Sequence, residues 1–221
     1  MRVIKIPSRD KYFDIQIKRS DAKFDYCKVN VFKVKLFYDL LKPIMSDMGP
    51  IICLGTRNGR EIDLFRNVFF NKIFMYRLIR TLEVKRYGYN SILPFVEGFF
   101  RSNLNNIDEY SAVGVELNPA AKRLDTWIGS FDEMPSEWSK KFSILYSNSF
   151  DQSQDPVKTA NEWKRVLRVG GVLILGFTGT EPTESDPVGN LVYNDLVKIF
   201  DGEVIYYNKY GFNYSYIIIQ I

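Results

Sequence analysis

The chain contains no histidine. That removes every mechanism needing an imidazole base, Ser-His-Asp catalysis included, and every metal site built on histidine. Cysteine is almost missing too. Cys27 and Cys53 are the two present, and Cys53 falls inside an apolar run, so a buried free thiol is expected rather than a bridge. No apolar run approaches the ~18 residues that read as a membrane span. The opening Met1-Arg2-Val3-Ile4-Lys5 lacks the apolar core of a secretory signal, and the cytoplasm is the expected compartment. A strong excess of one charge is lacking as well. The net charge of +4 is too modest to point to nucleic acid, and no such partner is expected. The rest is ordinary for a globular protein: 221 residues, 46% hydrophobic and 25% charged, enough for one domain with a real core. Aromatics, at 15%, are unusually frequent.

The most informative stretch is Pro50–Arg66, PIICLGTRNGREIDLFR. Ile51-Ile52-Cys53-Leu54 is a short apolar run that suits a strand buried on both faces. Gly55-Thr56-Arg57-Asn58-Gly59 makes a tight turn, and Glu61-Ile62-Asp63-Leu64-Phe65 resumes with helical spacing. Strand, glycine turn and helix start describe the first βα unit of a nucleotide-binding α/β fold. Glycine lets a backbone approach a ligand closely, and the free N–H groups of a helix start can face polar ligand atoms. Many βα turns carry two glycines for steric reasons alone, so the turn by itself leaves both readings open.

Ahead of this stretch, Tyr12, Phe13, Ile15 and Ile17 partly alternate with polar residues and predict a strand or extended arm. Val31–Ser46 has helical spacing, with Val34, Leu36, Leu40, Leu41 and Ile44 available for one face and Pro43 placed to end it. Residues 1–48 thus read as an N-terminal extension with a covering helix, and 49–221 as the main domain. An insertion, 66–110, interrupts that domain. In its first part Arg66, Lys72, Arg77, Arg80, Lys85 and Arg86 face one acid, Glu83, and Phe69, Phe70, Ile73, Phe74 and Leu78 interleave with them. Such a basic amphipathic stretch suits peripheral contact with an anionic membrane or a protein partner. It equally suits a helix whose aromatic face packs on its own domain.

Further along, Ala112-Val113-Gly114-Val115 reads as a second buried strand with Glu116 at its carboxyl end. An acid there can accept both hydroxyl hydrogens of a ribose; the plainer alternative is a surface carboxylate. Ala120–Asp125 is helix-like, and Phe142–Asn148 is another strand, with Asp151 just past it. Pro156–Leu167 has helix character, with Gly170 and Gly171 suited to its left-handed cap. Val172–Phe177 is a strand, Thr178–Gly189 a mobile loop or lid, and Asn190–Phe200 a last helix. Glu203–Asn208 and Phe212–Ile221 lie so close in sequence that they must pair antiparallel.

With these pieces in order, the sequence resembles class I S-adenosylmethionine-dependent methyltransferases, most nearly the broad small-molecule group called type 11. The likeness runs from about Pro50 to Phe177. Its most specific part is Phe142–Leu175, where Asp155-Pro156 and Arg165-Val166-Leu167-Arg168-Val169-Gly170-Gly171 occupy the family's Asp-Pro loop and its turn into a strand. The resemblance implies an α/β fold with a doubly wound, mostly parallel, seven-stranded Rossmann-like sheet ending in an antiparallel hairpin. It implies S-adenosylmethionine as cofactor and a small-molecule, sugar or lipid-like acceptor. The turn at Gly55, Thr56, Arg57 and Gly59 would hold the amino-acid end of the cofactor. Glu116 would bind the ribose, Leu117, Ser130 and Phe131 would meet the adenine, and Ser147 and Asn148 would line the mouth for methyl transfer. For a hydroxyl acceptor, Asp151 is the first candidate base, followed by Tyr146 and Glu181.

Three departures stand out. Arg57 replaces the middle glycine of G-x-G-x-G, Cys53 replaces an acid two positions before the first glycine, and Ser130 replaces an aspartate near the adenine amino group. They keep a non-catalytic binding or scaffold protein of the same fold open as an alternative. A nicotinamide-dependent oxidoreductase fits less well, because the final hairpin breaks a mostly parallel sheet.

Overall fold

The computed structural model describes residues 1–70, 112–123, 125–210 and 214–221. A seven-stranded sheet forms its centre, in the order β4-β3-β2-β5-β6-β9-β8. Its strands are β2 (Ile51–Leu54), β3 (Ala112–Glu116), β4 (Thr126–Ile128), β5 (Phe142–Ser147), β6 (Leu167–Phe177), β8 (Glu203–Tyr210) and β9 (Tyr214–Gln220). β4, β3, β2, β5 and β6 run parallel, and β9 is antiparallel to both β6 and β8. The expected fold class and its closing hairpin are therefore present. β2 takes the central place because all four of its residues are apolar and fully buried; it pairs with Ala112–Val115 on one side and Ile144–Ser147 on the other.

Alternation along the strands divides the core between the two faces of the sheet. Ile52, Leu54, Leu145, Leu173 and Ile217 face α4 (Pro156–Val166) and α5 (Tyr193–Phe200), where they meet Trp163, Phe150 and Phe200. Ile51, Cys53, Ile144, Ile174 and Ile218 face α2 (Val31–Leu41) and α3 (Arg60–Phe70), where they meet Val34, Phe37, Leu41, Ile62 and Phe65. The Asp155-Pro156 pair starts α4: the Asp155 carboxylate accepts from the Val157 and Lys158 N–H groups, and Pro156 takes the first helical position, where no N–H is needed.

Several local expectations are corrected. The segment around Tyr12 is not extended: it is the helix α1 (Arg9–Ala22), capped by the Ser8 hydroxyl. Its buried positions are Tyr12, Gln16 and Ser20, a four-residue spacing whose face is polar and so left no apolar stripe to read. Among the described residues of Ala120–Asp125, the helical part is the end of a short turn at Pro119–Ala121. Gly170 is left-handed, at φ +72°, yet α4 has already ended at Val166. The glycine serves an irregularity in which the β6 pairing jumps from Leu167 to Val172 while β5 advances from Phe142 to Ile144. Arg66, Phe69 and Phe70, assigned above to the insertion, are the last turn of α3. Phe69 is buried against Tyr38, so the helix end packs on its own domain. The remainder of the basic aromatic stretch lies outside the described residues. No described helix is long and apolar enough to cross a membrane.

A two-residue strand, β1 (Arg2–Val3), pairs antiparallel with β7 (Val188–Gly189). It ties the N-terminus to the loop after β6, whose Ser185 and Asp186 are held by α1: Gln16 Nε2 donates to the Ser185 carbonyl at 2.6 Å, and Arg19 pairs with Asp186.

Candidate functional site

α1 reaches groups that follow three different parallel strands. Ser20 Oγ donates to Glu116 Oε1 after β3 at 3.3 Å, the Tyr12 hydroxyl donates to the Gln152 carbonyl after β5, and Arg19 engages Asp186 after β6. The helix therefore lies across the carboxyl edge of the sheet, where open α/β sheets bind ligands. Beneath it is a cleft that opens to solvent. One wall is Tyr12, Phe13, Gln16, Arg19 and Ser20 of α1; the opposite wall is Gly55 and Arg57 of the glycine turn with Val115, Glu116 and Leu117. Gly129, Ser130, Phe131, Asp132 and Gln152 complete it.

Glu116 is 6% exposed and stands at the base of this cleft. Its Oε2 accepts from the Arg57 backbone N–H at 2.7 Å, and its Oε1 from the Asn118 N–H and the Ser20 hydroxyl at 3.2 and 3.3 Å. A carboxylate offers about four acceptor positions. The two backbone donors fix its orientation, and the long Ser20 contact is exchangeable for a ligand hydroxyl.

The turn itself has steric reasons for its glycines. Gly55 has φ +74°, and a Cβ there would sit 2.4 Å from the Ser149 hydroxyl. Gly59 has φ +78°, and a Cβ there would meet Arg123 Nη1 at 2.4 Å. Gly59 and Thr56 are absent from the cleft lining; the Thr56 hydroxyl lies against Gly114 instead. Arg57 takes φ +46°, the left-handed conformation that glycine would occupy without strain. Its guanidinium is turned toward Tyr26, 5.4 Å from that ring and 3.4 Å from that carbonyl. The variant turn thus keeps the glycine-like backbone path and adds a side chain to the cleft wall.

Of the remaining predicted residues, Leu117, Ser130 and Phe131 line the cleft with Glu116. Ser147 and Asn148 stand at the end of β5, engaged with their neighbours: Ser147 Oγ donates to the Leu54 carbonyl at 3.3 Å, and Asn148 Oδ1 accepts from Ser149 Oγ at 3.2 Å. Tyr146 is in the core, 1% exposed, its ring 4.8 Å from that of Phe65. Burial pushes its phenol well above the ordinary range, with Tyr214 and Tyr216 adding to the effect. Tyr146 therefore does not face the cleft. Glu181 is at the surface, pairing with Arg2 and accepting from Asn190.

Asp151 sits on the short turn Phe150–Gln152, between the Tyr12 anchor and Asp186. Its Oδ1 is shielded from solvent and has no hydrogen-bond partner. Burial, with the Asp186 charge beside it, pushes its pKa up to about 7. Glu61, one helical turn from the glycine turn, is 2% exposed, and its Oε2 likewise lacks a partner. Burial pushes its pKa up to about 7, although Arg57 and the Cys27 thiol oppose the shift. In the sequence Glu61 is the acid of a G-x-R-x-G-x-E variant that the resemblance includes, but its burial and raised pKa are visible only in the structure. Asp132 also escaped notice; it lines the cleft two residues after Ser130, accepts from the Thr159 hydroxyl, and is raised by burial.

Behind the glycine turn lies a second group of charges. Arg123 donates to both oxygens of Asp63, at 2.7 and 3.0 Å, and to Asp125 at 3.0 Å; Arg66 reaches Asp125 at 2.8 Å. Burial alone would raise Asp125, but Arg123 and Arg66 outweigh it and hold the carboxyl down at about 2.

No protein-family model and no curated protein sequence matches this chain. Solved structures do resemble it in fold. A Burkholderia thailandensis 1,6-didemethyltoxoflavin-N1-methyltransferase, solved with its substrate and S-adenosylhomocysteine, matches 99% of this chain and 93% of its own at 10% identity, with a TM-score of 0.60. The cyclase SpnF matches 99% and 98% at 9% identity, TM-score 0.56. A SAM-dependent methyltransferase from Thermotoga maritima matches 95% and 98% at 12% identity, TM-score 0.50. The fold is that of the class I methyltransferases.

Proposed function

We propose that this protein is an S-adenosylmethionine-dependent methyltransferase acting on a small-molecule acceptor, with the cofactor held in the cleft beneath α1. The observation that carries the reading is Glu116: a buried carboxylate at the carboxyl end of β3, oriented by the Arg57 and Asn118 N–H groups, at the base of a cleft. Glu116 would accept the ribose hydroxyls, with Ser20 giving way. Leu117 and Phe131 would cover the adenine faces and exclude water, and Ser130 and Asp132 offer polar atoms at the adenine edge. The backbone of Gly55–Gly59 would approach the amino-acid end, with Ser147 and Asn148 beyond it. Cys27 and Cys53 are unpaired thiols, which suits the reducing cytoplasm.

When bound, the cofactor supplies an electrophilic methyl group on a sulfonium centre. The protein's part is orientation and proton handling. Asp151, next in sequence to Gln152 of the cleft lining though not itself part of it, would be the group for the second task. A carboxyl poised near neutrality, with one oxygen free of protein donors, would take a proton from a hydroxyl acceptor once the Phe150–Gln152 turn shifts to uncover Oδ1. A sugar or lipid-like acceptor carries such a hydroxyl. Fold alone does not decide the chemistry: one of the structural neighbours is named as a cyclase.

Calorimetry with S-adenosylhomocysteine tests the reading. The wild-type protein should bind it, and Glu116→Gln should weaken binding about tenfold or more, the loss expected when charge-assisted hydrogen bonds are removed. Its melting temperature should change little. No binding to the wild-type protein, even at millimolar ligand, would leave the scaffold alternative standing.

A further inference from the structure

The carboxyl edge of the sheet has a second half that the cofactor reading leaves unused. β9 runs antiparallel to β6, with Tyr216 opposite Gly176 and Ser215 opposite Phe177. Tyr214 therefore stands just past the end of β6, on the same edge as Glu116 but beyond β5. Its hydroxyl lies against Gly176, where a Cβ would come within 2.1 Å. Burial, with Tyr216 and then Asp151 adding to it, pushes the Tyr214 phenol above its ordinary range.

Two lysines are drawn over these rings. Lys28, on the link between α1 and α2, holds its Nζ 4.1 Å from the centre of the Tyr214 ring and 5.9 Å from that of Tyr26. Lys33, in the first turn of α2, holds its Nζ 5.0 Å from the Tyr216 ring and 5.6 Å from the Tyr214 ring. The rings of Tyr214 and Tyr216 meet edge to face, 5.0 Å apart, and both lysines are half-buried. A lysine head normally reaches out to water. Here two like charges share one aromatic platform, and burial together with Lys28 lowers the Lys33 pKa. A ring face compensates an ammonium only weakly. Two lysines also flank Tyr38, at 5.4 and 5.6 Å, but there Lys35 pairs with Asp39. Among the described residues no carboxylate lies within ion-pair distance of Lys28. An anionic group between the two ammonium ions would remove their repulsion and use both charges. A cationic ligand would meet rings already taken by cations.

We propose that Lys28 and Lys33, seated on Tyr214 and Tyr216, form the anion-binding end of the acceptor site, and that the acceptor is a small molecule carrying a carboxylate or a phosphate. Their flexible stems let both ammonium groups turn from the rings onto one anionic group. The freed faces of Tyr26 and Tyr214 then pack on the rest of the molecule. In the strand order Asp151, after β5, lies between this half of the edge and Glu116, on the side from which a methyl group would come. Calling the ligand an acceptor rests on the cofactor reading above; the anion site does not.

Calorimetry with benzoate, phenyl phosphate and the neutral benzamide tests the proposal. It would be run with and without S-adenosylhomocysteine on the wild-type protein, Lys28→Gln, the double variant Lys28→Gln with Lys33→Gln, and Lys35→Gln, each checked for a wild-type melting profile. The wild-type protein should bind at least one of the two anions about tenfold more tightly than benzamide, and the tighter of the two tells carboxylate from phosphate. The double variant should lose about tenfold for that anion, Lys28→Gln alone part of it, and Lys35→Gln none. Anion and benzamide binding alike would overturn the anion site. So would a loss in Lys35→Gln equal to that of the double variant, or no anion binding at about 10 mM. S-adenosylhomocysteine binding without anion binding overturns the anion site alone. Anion binding by a protein that does not bind S-adenosylhomocysteine overturns the cofactor reading and the acceptor role with it, while the anion site stands.

Discussion

Two groups of buried carboxylates flank the Gly55–Gly59 turn, and they are treated in opposite ways. Behind the turn, Asp63 and Asp125 are gripped by Arg123 and Arg66. Glu61 and Asp151, neither of them in the cleft lining, each have a buried oxygen with no partner. Glu61 and Asp63 share the first turn of α3, but residues two apart on a helix point to nearly opposite sides. One helix end thus feeds both groups. Asp125, held low by its two arginines, keeps its charge at any physiological pH, and the paired group staples α3 to β3 and β4. The unpaired group holds protons near neutrality, a property that gathers where ligands and chemistry are handled. Burial of charge alone would not have distinguished them; the presence or absence of a counter-ion does.

Breaking the paired side should have the largest effect. Arg123→Leu leaves Asp63 and Asp125 to Arg66 and should cost about 3–5 kcal/mol of stability, read by chemical denaturation. If the cost is below about 1 kcal/mol, the network is not the staple described. The pH dependence sharpens the contrast. Glu61 in the folded chain keeps its proton up to about 7, against 4.5 for an ordinary glutamate. Between those values the folded state binds more protons than the unfolded, so stability falls as pH rises. Asp125 works the other way: held at about 2 against 3.8, it contributes stability above the ordinary value that is lost as pH falls toward 2. Glu61→Gln should therefore flatten the decline between pH 4.5 and 7 and gain on the order of 2 kcal/mol at pH 8, measured by melting across pH. An unchanged slope would remove Glu61 from the account. The smallest effect concerns the turn. Arg57→Gly relieves a left-handed residue worth about 1–2 kcal/mol but loses the Tyr26 ring contact, worth about 0.5–1 kcal/mol, and adds glycine's own chain entropy on unfolding. The net change should stay within about 1 kcal/mol.

Much of this architecture was legible because its signals are local. Four apolar residues before Gly55 named the central strand, Asp155-Pro156 named a helix start, and the short link between β8 and β9 required antiparallel pairing. Glu116 stood out because strand ends at one edge of an α/β sheet converge; Leu117, Ser130 and Phe131 came from the family resemblance, and all four line the cleft. Other features were hidden for physical reasons. α1 buries Tyr12, Gln16 and Ser20, so an apolar-period search reads through it. The Asp63–Arg123 pair joins residues 60 apart, and no spacing rule links them. Gly59 looked like a ligand-approach glycine, yet its neighbour is the Arg123 guanidinium.

The fastening of α1 has a consequence of its own. Its attachments across the sheet edge include a phenol on a carbonyl, an amide on a carbonyl, a hydroxyl on a carboxylate, an Asn118 amide on Asp21 and three ion pairs, from Arg9, Lys11 and Arg19. Water can substitute for each at a net difference of about 1 kcal/mol. α2, by contrast, is anchored by Phe37 and Leu41 in the apolar interior, where water is no substitute. The first helix is thus held largely by contacts that water can replace, and the sheet's two greasy layers by contacts that it cannot.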